Sequence, residues 1–224
     1  MSVKQEIEKL KTELPRQVTL VAVSKFHPEE AIVEAYQAGQ RVFGESQVQE
    51  LQRKHEVLSM PDIKWHFIGH LQTNKVKYIA PYIDLIHAVD SEKLLLEINK
   101  QGQKCNRKIN CLLQLHVAQE ENKYGFTADA CWEYLNSGKW KELDCVQICG
   151  IMCIATNTED EDTVRGEFQQ AAQFFEKAKA TVFAHEKNFS ICSWGMSEDY
   201  PIAIEEGSNM VRVGSKIFGE RIYL

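Results

Sequence analysis

Eight short apolar runs alternate with amphipathic stretches along the 224 residues of this chain. Short runs rich in Val, Ile and Leu are typical of strands buried on both faces of a parallel sheet. The runs lie at residues 19–24, 41–44, 64–69, 85–90, 110–117, 146–154, 189–193 and 210–214. The helical stretches between them include residues 29–38, 46–58, 91–100 and 159–180. This alternation predicts parallel βαβ units along the whole chain.

Eight such units in a chain of this length predict a single (β/α)8 barrel domain over residues 1–224. A doubly wound open sheet is the alternative, because the sequence does not show whether the sheet closes. Residues 1–14 carry an additional charged helical pattern. We expect this extra N-terminal helix to cap the bottom of the barrel, where the strands begin.

Composition excludes several classes of protein. A net charge of −6 and a pI near 5.7 argue against a general nucleic-acid binder, which carries a basic surface. The charged N-terminus is unlike a signal peptide, and no apolar stretch has the length of a membrane span. The seven cysteines lie largely in apolar runs, which predicts buried thiols in a reducing cytoplasm.

Three of these cysteines, Cys145, Cys149 and Cys153, recur at every fourth position. Such spacing could indicate a metal site. Their apolar neighbours instead favour a strand, and no histidine or acidic residue beside them completes a ligand set. We therefore predict buried thiols and no metal.

Lys25 directly follows the first apolar run. An ammonium is costly in a buried sheet unless it is paired, hydrated or used chemically. The following segment, residues 27–30, has the proline and acidic residues of a helix start. Lys25 is therefore expected at the carboxyl end of a strand, where α/β proteins bind ligands. Most lysines at strand ends reach solvent, so its position alone is weak evidence of function.

A second signal lies after the seventh and eighth strands, in residues 193–199 and 212–215. Both segments combine glycine with hydroxyl side chains at a strand-to-helix turn, which suits an anion. Separately, each is explained by a helix cap at Ser197 or a tight turn at Gly214. Together they lie in the two neighbouring loops where barrels often bind phosphate. A phosphate site is the favoured interpretation.

A lysine and a phosphate site at one mouth predict a Schiff base with a phosphorylated aldehyde. Two candidates follow: pyridoxal 5'-phosphate (PLP) as a bound cofactor, and a sugar phosphate as the substrate of a class I aldolase.

The chain resembles the YggS/PROSC family, the pyridoxal phosphate homeostasis proteins, over nearly its whole length. Motifs that carry the resemblance lie at residues 21–25, 43–45, 65–75, 123–126, 150–152, 195–199 and 212–219. The resemblance implies a barrel similar to the N-terminal domain of alanine racemase, with PLP held as an aldimine of Lys25. It implies that Ser197, Gly214 and Ser215 hold the phosphate and that Arg212 faces the pyridine nitrogen. From their positions, Glu45 at the end of the second strand and Asn74 after the third are expected to line the pocket, with Met196 as a further cofactor contact; a helix cap is the alternative role for Asn74.

The implied function is intracellular PLP homeostasis and amino-acid balance, without an established enzymatic activity. A permanent cation at Arg212 would keep the pyridine nitrogen unprotonated, which makes the ring a poor electron sink. We expect no second domain after the eighth βα unit that would supply the other base of a racemase. We expect a monomer that gives PLP to apo-enzymes. A slow racemase-type enzyme and a class I aldolase remain the alternatives.

Three residues depart from the usual family pattern: Ser46, His116 and Trp194. The indole of Trp194 is expected to pack under the cofactor or to narrow the entrance.

Four other polar residues are weaker candidates. His66 and His70 are expected to be neutral and hydrogen-bonded within the mouth. Lys75 and Lys123 are expected to be solvated loop lysines.

Overall fold

The computed structural model describes residues 2–120 and 123–220, and its eight parallel strands form a closed barrel in the order β1 to β8. The strands are β1 (Thr19–Val23), β2 (Val42–Glu45), β3 (Lys64–Phe67), β4 (Leu85–Val89), β5 (Ile109–Leu115), β6 (Val146–Cys153), β7 (Ile191–Ser193) and β8 (Met210–Val213). Pairing of β1 with β8 closes the sheet. The predicted barrel is confirmed, and the open sheet is wrong.

Helices surround the strands. They are α1 (Val3–Glu13), α2 (Glu29–Gln37), α3 (Val48–Val57), α4 (Val76–Ile79), α5 (Glu92–Cys105), α6 (Ala128–Ser137), α7 (Glu161–Ala180), α8 (Tyr200–Glu205) and α9 (Ser215–Phe218). Short 3₁₀ segments occupy Thr73–Lys75 and Lys139–Glu142. None of the helices in these described ranges is long and apolar enough to cross a bilayer.

Alternation along each strand separates an inner from an outer layer. The inner layer is small and includes Val21, Leu112, Met152 and Met210. The larger outer core fills the space between sheet and helices. This alternation decides which side chains at the strand ends can enter a cavity within the barrel.

Helix α1 does not cap the bottom of the barrel, so that expectation is wrong. Ile7 and Leu10 are buried, and α1 packs against α2 and α9 in the outer ring. The last helix, α9, spans only Ser215–Phe218, and α1 fills the side of the barrel that a longer eighth helix would cover. Its N-terminus is fixed by a capping box between Ser2 and Gln5.

Candidate functional site

A cavity of about 920 Å³ opens at the carboxyl ends of the strands. Six of the predicted site residues line it: Lys25, Met196, Ser197, Arg212, Gly214 and Ser215. Arg212 comes from β8 and the others from the loops after β1, β7 and β8, and closure of the barrel brings β1 beside β8. Two other predicted residues, Glu45 and Asn74, are not part of the lining.

Lys25 lies on a tight turn at the end of β1. The next residue, Phe26, has φ of 64°, a left-handed conformation that is uncommon for a bulky side chain. Its backbone N–H donates to Glu50 Oε1 over 2.7 Å. A strained residue persists where surrounding contacts hold it, and such residues cluster at functional sites.

Beneath this turn lies a buried ionic cluster centred on Lys54, which is fully inaccessible to solvent. Lys54 Nζ donates to Ser24 O (2.7 Å), Glu45 Oε1 (2.8 Å) and Glu50 Oε1 (2.7 Å). The cluster therefore contacts the chain on both sides of Lys25, through Ser24 and through the Glu50 bond to Phe26. It fixes the direction in which the strand end presents Lys25.

Glu45 thus supports the turn and does not line the cavity. Val42 is on the inner side of the barrel, and three residues later the alternation turns Glu45 outward toward α3. Burial raises the pKa of Glu45 to about 7, against the opposing effect of Lys54 and with a further increase from Glu50. Its Oε2 is buried without a hydrogen-bond partner in the described part of the chain. Two carboxylates share one ammonium, so Glu45 readily keeps a proton.

Arg212 projects from β8 into the barrel and is only 3% exposed. Its Nη1 donates to Ser193 O and Ser193 Oγ, both over 2.7 Å, and its Nη2 donates to Cys153 O over 2.9 Å. These bonds use three of the five N–H groups of the guanidinium. Burial lowers the pKa of Arg212, but a guanidinium remains charged in proteins. The cation is rigidly held at the base of the cavity.

A chain of hydrogen bonds runs from Arg212 through the barrel. Ser193 Oγ is 3.1 Å from His87 Nδ1, His87 Nε2 is 3.0 Å from His66 Nδ1, and His66 Nε2 is 3.3 Å from Asp84 Oδ2. Burial lowers the pKa of both histidines, so both are neutral.

Donor counting fixes the direction of this chain. The Asp84 carboxylate can only accept, so neutral His66 donates to it from Nε2 and accepts at Nδ1. His87 therefore donates to His66 from Nε2 and accepts at Nδ1 from the Ser193 hydroxyl, which itself accepts from Arg212. A fixed sequence of donors therefore links a cation at the upper end to an anion at the lower end.

The loops after β7 and β8 are joined at the cavity. The backbone N–H of Gly214 donates to Ser197 Oγ over 3.1 Å. Gly195, at the start of the first loop, has φ of 91°, and a Cβ there would lie 2.5 Å from Ala203 Cβ. Only glycine fits that turn, which brings α8 against the loop. The Ser197 hydroxyl of the first loop and the Gly214 amide of the second therefore meet next to Ser215 in the chain.

Other predicted residues lie elsewhere. Asn74 is exposed in the 3₁₀ segment. His66 is inside the barrel and not at the mouth, because β3 turns it inward below the strand end. His70 Nδ1 is 3.0 Å from Asp90 Oδ2. Lys123 does line the cavity, and its Nζ donates to Ala155 O over 2.8 Å.

Trp194 neither narrows the entrance nor lines the cavity. Its side chain is fully buried in the outer core, because β7 turns Ser193 inward and Trp194 outward. Two cysteines of β6, Cys149 and Cys153, are buried as expected, and burial raises the pKa of the Cys149 thiol to about 11. Within residues 2–120 and 123–220, no group of three His, Cys, Asp or Glu residues could hold a metal.

Sequence reasoning missed four supporting residues: Glu50, Lys54, His87 and Ser193. Glu50 and Lys54 stand four apart on α3, a spacing that is usually a solvated ion pair. The apolar residue Leu51 between them is the hint in the sequence that this helix face is covered, and the structure buries it. His87 interrupts the apolar run of β4, and that interruption was the available signal.

Comparisons with known proteins agree with this geometry. The sequence profile of the alanine racemase N-terminal domain family matches residues 2–222. A pyridoxal phosphate homeostasis protein of Aquifex aeolicus (strain VF5) is 38% identical over 206 residues, covering 91% of this chain and 87% of that protein.

Solved structures of PipY from Synechococcus elongatus PCC7942 are also similar. The form without PLP has a TM-score of 0.91 at 35% identity, covering 97% of this chain and 100% of that chain. The form with PLP bound has a TM-score of 0.88 at 34% identity, with the same coverage. The resemblance in the sequence motifs is confirmed: this chain belongs to the alanine racemase N-terminal domain family and, within it, to the pyridoxal phosphate homeostasis proteins.

Proposed function

We propose that this protein binds PLP in the cavity at the carboxyl ends of the strands, which we call the upper cavity. The cofactor is linked to Lys25, and the protein contributes to PLP homeostasis. The observation that carries the proposal is the convergence of Lys25, Arg212 and the two hydroxyl-rich loops on one cavity. The PLP-bound form of PipY, a close structural relative, supports it.

The residues fit the three functional groups of PLP. Ser197, Gly214 and Ser215 form the phosphate site: the two serine hydroxyls donate to the phosphate, and the backbone N–H of Gly214 donates to Ser197 Oγ over 3.1 Å, which holds that hydroxyl in place. Lys25 forms a Schiff base with the aldehyde: the amine nitrogen adds to the carbonyl carbon, and one water molecule leaves. Met196 contributes apolar surface at the same mouth. The volume of about 920 Å³ is within the range of small-molecule sites.

Arg212 explains why binding is a better description than catalysis. One of its remaining N–H groups would donate to the pyridine nitrogen, while Ser193 and Cys153 hold the guanidinium in place. Two donors cannot share that nitrogen's lone pair, so the pyridine stays unprotonated. An unprotonated ring withdraws electrons weakly, which disfavours carbanion chemistry. PLP bound in this cavity is therefore a poor catalyst of carbanion chemistry.

The finer parts of the proposal concern partners. The protein acts as a monomer and gives its PLP to apo-enzymes. Size-exclusion chromatography with light scattering measures the molar mass and so tests the first claim. The second is tested by mixing the PLP-loaded protein with an apo PLP enzyme, whose activity we expect to recover faster than with an equal concentration of free PLP.

The binding claim is tested by the absorbance of PLP-loaded protein. We expect an imine band near the edge of the visible range in the wild type and its complete loss in Lys25→Ala. Lys123→Ala is the matched control, because Lys123 lines the same cavity and should leave the band in place. An identical band in Lys25→Ala would overturn the proposal.

A further inference from the structure

A second cavity, of about 580 Å³, opens at the opposite end of the barrel. It is lined by residues at or near the starts of the strands, among them Lys64 in β3, Asn110 in β5, Gln147 in β6 and Met210 in β8. None of the residues assigned to the PLP site lines it. We call it the lower cavity.

The charge of the lower cavity contrasts with that of the whole chain. Three lysines line it, Lys64, Lys108 and Lys187, against a single carboxylate, Asp84. That carboxylate already accepts a hydrogen bond from His66, which lowers the pKa of Asp84. The lining therefore carries an excess of two positive charges in a protein whose net charge is −6. Such a concentration of positive charge attracts anions.

The floor of the lower cavity is partly polar and partly apolar. The amides of Asn110 and Gln147 offer donors, while Leu85, Ile191 and Met210 offer apolar surface. A volume of about 580 Å³ holds a small organic molecule rather than an isolated ion. A ligand with a carbon skeleton and concentrated negative charge matches both parts of the lining.

We propose that the lower cavity is a second binding site, for a small organic dianion. The lysines contact the charged groups, Asn110 and Gln147 donate hydrogen bonds, and the apolar floor contacts the carbon skeleton. Phosphate monoesters and dicarboxylates share this chemistry. The site does not depend on PLP binding at the other end.

Two methionines make the ends of the barrel separately observable. Met210 lines the lower cavity and Met196 lines the upper one. In protein labelled with ¹³C at the methionine methyl groups, titration with phenyl phosphate, succinate and acetate is followed by NMR, with Met210→Leu providing the assignment. We expect saturable shifts of Met210 with phenyl phosphate or succinate, and none with the monoanion acetate. Whichever dianion binds more tightly identifies the ligand class.

Paired charge deletions provide the control. Lys108→Ala/Lys187→Ala should weaken the response of Met210 at least tenfold. Lys93→Ala/Lys104→Ala removes the same charge from exposed positions outside both cavities and should change it less than twofold. The proposal is overturned if Met210 does not respond to either dianion, or if both double variants weaken its response equally. A response of Met196 alone also counts against the lower site, while leaving the PLP proposal intact.

Discussion

The two ends of the barrel present lysines in different ways. At the upper end, Lys25 lies on a strained turn whose neighbours are bonded to the buried Lys54 cluster. At the lower end, Lys64, Lys108 and Lys187 are exposed around a floor that is partly polar and partly apolar. A held lysine suits one covalent bond in one direction, whereas exposed lysines suit electrostatic attraction. The two ends therefore differ in the buried support beneath their lysines, and not in whether a lysine is present.

The largest effect should come from removing the charge beneath Lys25. Lys54→Met leaves two carboxylates without their buried cation, and we expect a loss of about 3–5 kcal/mol in the free energy of unfolding. Lys187→Met, at the lower end, should change it by less than about 0.5 kcal/mol. Urea unfolding measures both, and similar losses would contradict the contrast between the ends.

The second prediction concerns pH. Glu45 has a pKa of about 7 in the folded protein, above its ordinary value of 4.5. Its stabilising contribution is therefore complete below pH 4.5 and is lost as the pH rises through 7. The loss is at most about 3.4 kcal/mol, at 1.36 kcal/mol for each pH unit between 4.5 and 7.

The buried histidines act in the opposite sense. Burial lowers the pKa of His66 and His87, so they reduce stability as the pH falls below their ordinary 6.5. The contribution of the histidines cancels in the difference in unfolding free energy between the wild type and Glu45→Gln. This difference should favour the wild type less as the pH rises from 5 to 8. A difference that does not change with pH would contradict the raised pKa of Glu45.

The smallest expected effect lies between the two ends. His87→Leu removes the acceptor of the Ser193 hydroxyl proton and the donor to His66 Nδ1, which should cost about 2 kcal/mol. Ser193 would still accept from Arg212, so PLP affinity should fall only a few-fold. His185→Leu, at an exposed position, is the control and should leave both quantities unchanged. Equilibrium unfolding and PLP titration test this, and equal effects of the two changes would contradict a structural link through the barrel.

The sequence predicted the strands and the placement of Lys25 and Arg212, because a buried parallel strand has a strong apolar signal. The assignment of Glu45 to the cavity was wrong. A shift of one residue in strand alternation reverses inside and outside, and Gly44 next to it gives no guide. The partnership of His66 with His87 joins residues 21 apart in sequence, and no local pattern predicts such a contact.

Reduction with borohydride tests the central claim most directly. The PLP-loaded protein is treated with borohydride, digested, and mapped by mass spectrometry for pyridoxyl-lysine. The account predicts one dominant adduct, on Lys25, because Lys25 lines the cavity together with the proposed phosphate residues, while the ammonium of Lys123, which lines the same cavity, is bonded to Ala155 O and Glu120. An adduct on Lys64, Lys108 or Lys187 at a level equal to that on Lys25 would contradict it.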